Sequence, residues 1–139
     1  MLLAEIGVDM SQFKNRNHLS SWAGMCPGNN ESAGKRRSGK TRKGNQNVRT
    51  LLCEIANAAI KTDSQFKGFY KGLVIRRGHK RAIIAAGHKI LKTAHAMLKD
   101  KVPYKDPETD YEEMPVRKNA PRWITALKKY GYLQGEETE

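Results

Sequence analysis

The stretch NVRTLLCEIANAAIKT, residues 47–62, decides the fold. Val48, Leu51, Leu52, Ile55 and Ala59 fall at i, i+3, i+4, i+7 and i+11. That spacing is one apolar stripe on a helix of 3.6 residues per turn. Moving outward, Asp63 or Ser64 caps a second helix whose inner face is Phe66, Phe69, Tyr70, Leu73 and Val74, closed by Arg76, Arg77 and Gly78. A third helix is expected over residues 80–99, with Ile83, Ile84, Gly87, Ile90, Leu91, Ala94, Met97 and Leu98 on one face.

On the N-terminal side, residues 18–25 read as a short helix with Asn17 as its N-cap and Leu19, Trp22 and Ala23 turned inward. Pro27 and Gly28 break it. Residues 2–7 read as the end of a helix closed by Gly7. On the C-terminal side, residues 101–115 form an acidic linker with Pro103, Pro107 and Pro115. A last helix is expected over residues 116–132, with Trp123, Leu127 and Tyr130 inward, and residues 135–139 are expected to be disordered. The expected class is all-α: a compact helical domain over residues 1–100, a linker over 101–115, and a C-terminal helix and tail over 116–139. A basic, glycine-rich loop is expected between the second and third helices of the chain.

Composition narrows the function. The 139 residues are 38% hydrophobic and 29% charged, enough for one modest core. No apolar run approaches the roughly 18 residues that a membrane helix needs. The chain reaches Glu5 without a basic leader, so no signal peptide is expected. Cys26 and Cys53 are the only cysteines, too few for a disulfide scaffold, which points to a reducing cytosol. The net charge is +12. Residues 32–99 hold 17 Lys and Arg against Glu54 and Asp63 alone, a balance of +15. A surface so basic attracts polyanions, and a phosphate backbone is the usual partner.

The most informative segment is ESAGKRRSGKTRKGN, residues 31–45. Lys35, Arg36, Arg37, Lys40, Arg42, Lys43 and Arg49 make seven cations in and just after it. Gly34, Gly39 and Gly44 let the backbone approach a phosphate chain. Arg76 and Arg77 open a second basic cluster that runs to Arg81. Ser32 and Ser38 are loop serines, poor nucleophiles unless something activates them. His18, His79, His88 and His95 lack the spacing and acidic companions of a metal site, so no metal is expected in this chain.

Taken in order, these residues resemble a known family. Glu5, Gly7, Phe13, His18, Leu19, Trp22, Gly24, Pro27, Ser32, Gly34, Lys35, Gly39, Lys43, Gly44, Asn45 and Arg49, then Arg76, Arg77, Gly78, Ala82 and His88, resemble the C-terminal domain of bacterial insertion-sequence transposases of the one-ten group, the bridge-RNA-guided DEDD/serine recombinases. The resemblance implies DNA transposition and recombination. It implies a serine nucleophile that attacks a DNA phosphodiester, which by motif position is Ser32, with Ser38-Gly39 as runner-up because Ala33 separates Ser32 from Gly34. It implies that Lys35, Arg37, Lys43 and Arg49 hold the nucleic-acid backbone and that Asn45 is a cap or polar contact; Arg36, Lys40, Arg42, Arg76 and Arg77 join them as nucleic-acid-binding candidates on their charge. It further implies a RuvC-like acidic domain or subunit carrying a divalent metal such as Mg, a structured guide RNA, a possible homo-oligomer, and a place beside the bacterial nucleoid. The acidic half has no counterpart in these residues, so an N-terminally truncated fragment, inactive alone, is expected. The alternative is a non-catalytic basic module that binds RNA or DNA, or a transposon relic.

Overall fold

The computed structural model describes residues 1–28, 30–107 and 113–133. Among the described residues there are six α-helices: α1 (Leu2–Ile6), α2 (Arg16–Trp22), α3 (Gln46–Ala59), α4 (Gln65–Arg77), α5 (His79–Asp100) and α6 (Glu113–Lys129). A 3-10 turn, Met10–Gln12, joins the first two, and a small hairpin, β1 (Asn30–Ser32) and β2 (Lys35–Ser38), lies between α2 and α3. The all-α class expected from periodicity holds, with the basic loop folded into that hairpin.

The core is built where α3 and α5 cross. Leu52 and Val48 from α3, Leu91 from α5, Leu19 and Ala23 around α2, Ile6 from α1, and Met10 and Met25 from the connections form one buried cluster. Burying a side chain such as Leu52 or Leu91 contributes about 1.5–3 kcal/mol. Ala56, Ile83 and Ala86 form a second cluster, against which Cys53, Ile60 and Tyr70 pack. Gly87 completes the crossing: a Cβ there would lie 2.7 Å from Met25 Cε and 3.2 Å from the Leu52 carbonyl. The stripe on α3 is therefore centred on Val48, Leu52 and Ala56, with Leu51 and Ile55 half-buried at its flank.

Several local expectations shift. α2 starts earlier, because Asn15 rather than Asn17 caps it: Asn15 Oδ1 accepts from the amides of Asn17 and His18, both at 2.9 Å. Neither expected cap serves α4. Ser64 holds the N-cap position without a side-chain cap bond, and the carboxylate of Asp106 reaches back so that Gln65 N–H donates to Oδ2 at 3.2 Å. The hydroxyl of Tyr104 donates to the same oxygen at 2.8 Å, and its ring stacks on Phe66 with centroids 6.0 Å apart. Part of the acidic linker is thus a strap over the start of α4.

The last helix departs most. It begins at Glu113, before Pro115, and Trp123, Leu127 and Tyr130 are not inward but 47%, 40% and 72% exposed. Their periodicity is that of a helix with an apolar face, yet among the described residues the body of the chain leaves these three side chains exposed. The expectation for residues 135–139 lies outside the described residues.

Candidate nucleic-acid interface

The hairpin is polar, so its order comes from its base. Gly24, at φ 69°, follows α2, and Gly44 precedes α3. Their backbones touch: a Cβ on Gly44 would overlap the Gly24 backbone, and one on Gly24 would lie 3.0 Å from Gly44 N. Next to this crossing, Asn45 N–H donates to the Trp22 carbonyl at 3.0 Å. Further out, Pro27 bridges Thr41, and Gly28 N–H donates to the Lys40 carbonyl at 2.8 Å. The excursion thus leaves and rejoins the core at one point. Asn45 also caps α3, its Oδ1 accepting from Val48 N–H at 3.2 Å, and Asn45 Nδ2 donates to Glu5 Oε2 at 3.4 Å.

At the far end, Ser32 pairs with Lys35 across a two-residue turn. Ala33 and Gly34 both take positive φ, 50° and 72°. Positive φ at both central positions is the type I′ pattern whose twist suits a tight hairpin. Ala33 bears this at a cost of about 1 kcal/mol that glycine escapes. The register slips between Asn30 and Glu31, which face Ser38 and Arg36, so Arg37 is the extra residue of a bulge.

The two serines fare differently. Ser32 is exposed at the end of β1. Ser38 is half-buried, and its Oγ accepts from the Lys40 amide at 3.2 Å. Lys35, Lys40, Arg42 and Lys43 are exposed, and none is paired with a carboxylate among the described residues. Arg49 stands half-buried in the first turn of α3. Arg36 and Arg37 lie on β2. Arg76 and Arg77 are exposed in the last turn of α4, where cations complement the helix dipole. They sit on another part of the chain, at the joint where Gly78, at φ 76°, ends α4 and starts α5. There Tyr70 Oη and His79 Nδ1 lie 2.8 Å apart.

Sequence reading missed two polar features of the interior. Cys26 Sγ and His88 Nε2 lie 3.9 Å apart, joining the base of the hairpin to α5. Burial holds the His88 imidazole below its ordinary pKa, and Lys92 adds to this. His95 is buried on α5, and its Nε2 has no hydrogen-bond partner among the described residues. Desolvation lowers its pKa, with Lys99 and Arg16 reinforcing and Asp100 opposing. Among the described residues no group of three or more His, Cys, Asp or Glu could hold a metal ion.

A sequence profile described as "Transposase IS116/IS110/IS902 family" matches residues 1–71, which spans α1 through the hairpin and α3 into α4. The chain belongs to this transposase family. Membership gives it a role in DNA transposition or recombination. No significant match was found among curated proteins or among solved structures. Among the described residues of this transposase-family chain, no helix is long and apolar enough to cross a membrane.

Proposed function

We propose that the chain serves transposition by holding DNA backbone on the pinned basic hairpin and presenting Ser32 to a phosphodiester. The observation that carries this reading is the contrast at the hairpin. Ser32 is exposed opposite Lys35 at the tip, while Ser38 is half-buried and engaged by the Lys40 amide. In the step itself, a Ser32 Oγ–phosphorus bond forms as the bond from phosphorus to the leaving sugar oxygen breaks. The serine proton passes to a base, and the leaving oxygen takes a proton from an acid. Lys35, Arg36, Arg37, Lys40, Arg42 and Lys43 offset the negative charge that develops on the phosphate oxygens.

No histidine or carboxylate among the described residues hydrogen-bonds Ser32. On this reading the base, the acid and any magnesium ion would come from the carboxylates of a RuvC-like acidic domain or subunit. Cations aimed at backbone hold register without reading bases, which suits a guide RNA that supplies the sequence choice. Arg49, Arg76 and Arg77 extend the backbone contacts, and the working place is the bacterial cytoplasm beside the nucleoid. Residues 1–100 would act as the serine-bearing, nucleic-acid-binding unit.

The test is covalent capture of labelled DNA with an acidic partner domain supplied. Ser32→Ala is expected to lose protein–DNA attachment while DNA binding persists, and Ser38→Ala to keep both. Attachment that survives Ser32→Ala and disappears with Ser38→Ala would overturn the assignment. The second reading, for which the +15 balance of residues 32–99 speaks equally, is a binding module without chemistry, under which no variant and no partner yields attachment. Both readings require salt-sensitive binding. Replacing Lys40, Arg42 and Lys43 with Ala should flatten the slope of log K against log salt by about 2.7, at 0.9 per lost phosphate contact.

A further inference from the structure

We infer that α6 is a self-association helix, whose apolar seam pairs antiparallel with the α6 of a second copy of this chain. The inference does not depend on the reading of Ser32. Val116, Ala120, Trp123, Leu127 and Tyr130 recur at spacings of four, three, four and three residues. That is the alternation of an a/d seam, the pattern that packs one helix against another. The seam is uncovered: Val116 is 52% exposed, and Trp123, Leu127 and Tyr130 are exposed as noted above. Ile124, beside the seam, is 45% exposed.

Charge selects the occupant. Four of the five cations of α6, Lys118, Arg122, Lys128 and Lys129, take the outer b, c and f positions when the seam residues are a and d, and Arg117 flanks it at e. A nucleic acid would be met by that outer face and would leave the apolar seam in water. An acidic partner would find no cation on the seam. A second α6 fits, because pairing turns both sets of cations away from each other. Side-chain volume selects the orientation. In a parallel pair Trp123 meets Trp123, and Ala120 meets Ala120. In an antiparallel pair Ala120 meets Trp123 and Val116 meets Leu127, so large faces small along the seam.

The helix spans about 25 Å at 1.5 Å per residue, so the interface belongs to the weak class below about 1,200 Å². The experiment is sedimentation velocity on the full chain in high salt without nucleic acid, over about 10 µM to 1 mM, the range of weak complexes. A concentration-dependent dimer is expected. Leu127→Asp should remain monomeric with unchanged helical circular dichroism, and Lys118→Glu, on the outer face, should still dimerise. A monomer throughout, a dimer that survives Leu127→Asp, or a dimer that forms only on adding nucleic acid overturns the proposal. Orientation is read from a mixture of Val116→Cys and Leu127→Cys chains, each with Cys26 and Cys53 replaced by Ala, under mild oxidation. The mixed disulfide should dominate, and preferential self-linking of Val116→Cys overturns the antiparallel register.

Discussion

The basic hairpin and α6 both project from the core, and they are held in opposite ways. The hairpin has almost no apolar residue to bury, yet it is tied down by backbone: the Gly24–Gly44 contact, the Pro27–Thr41 bridge and the Gly28–Lys40 hydrogen bond. α6 has a full apolar face, yet no described residue of the body buries it. Hydrophobic content therefore does not tell which part of this chain is fixed. Close backbone approach, which only glycine permits, fixes the polar part, and the apolar part waits for a surface.

The sharpest way to break that contrast is Gly44→Ala. The added Cβ overlaps the Gly24 backbone, and a loss of about 2–3 kcal/mol is expected by chemical denaturation, as for an overpacked core. Gly72→Ala is the control: nothing lies within 4 Å of a Cβ there, and this helical site should gain stability. Unchanged stability in Gly44→Ala would mean that the hairpin is not pinned as described.

A smaller effect tests the strap that leads toward α6. Asp106→Ala removes the carboxylate that accepts from Gln65 N–H, and about 1 kcal/mol should be lost, the usual cost of losing a helix cap. Asp106→Asn, which keeps an acceptor oxygen, should recover most of it.

The core, by contrast, should respond to pH. His88 and His95 have folded pKa values held below the ordinary 6.5. In the window between 6.5 and those lowered values the unfolded chain binds more protons than the folded one. Stability therefore falls as pH drops through that window and is fully present above it. Thermal melts should show the decline, and His95→Leu should flatten it. A melting temperature independent of pH there would sink this account. The smallest change expected is at the hairpin tip. Ala33→Gly relieves the positive φ and should stabilise the turn by up to about 1 kcal/mol, visible as slower amide exchange in β1 and β2.

Much of this was readable from residues alone. The stripes of α3 and α5 announced their faces because a helix repeats its environment every turn, and the charge of residues 35–49 marked the exposed excursion. What stayed hidden depends on contacts distant in sequence. Asp106 caps a helix 41 positions upstream, and Cys26 meets His88 across 62. No local pattern encodes either. His95 carried no sign of burial, since a histidine on an apolar face looks the same whether covered or not. For α6 the period showed an apolar face but not what covers it. Trp123 and Leu127 were expected to turn inward because an apolar stripe shows that something must cover it, without showing which molecule does.

The crossing of Gly24 and Gly44 has one more consequence. A chain that leaves and re-enters a core through the same gate makes a closed circuit, and the core feels only the gate. Residues inside the circuit are free to lengthen, shorten or change chemistry without redesigning the helices beneath. Such a joint makes the hairpin a replaceable tool on a fixed handle, and a transplant cut at those two glycines should carry the tool away whole.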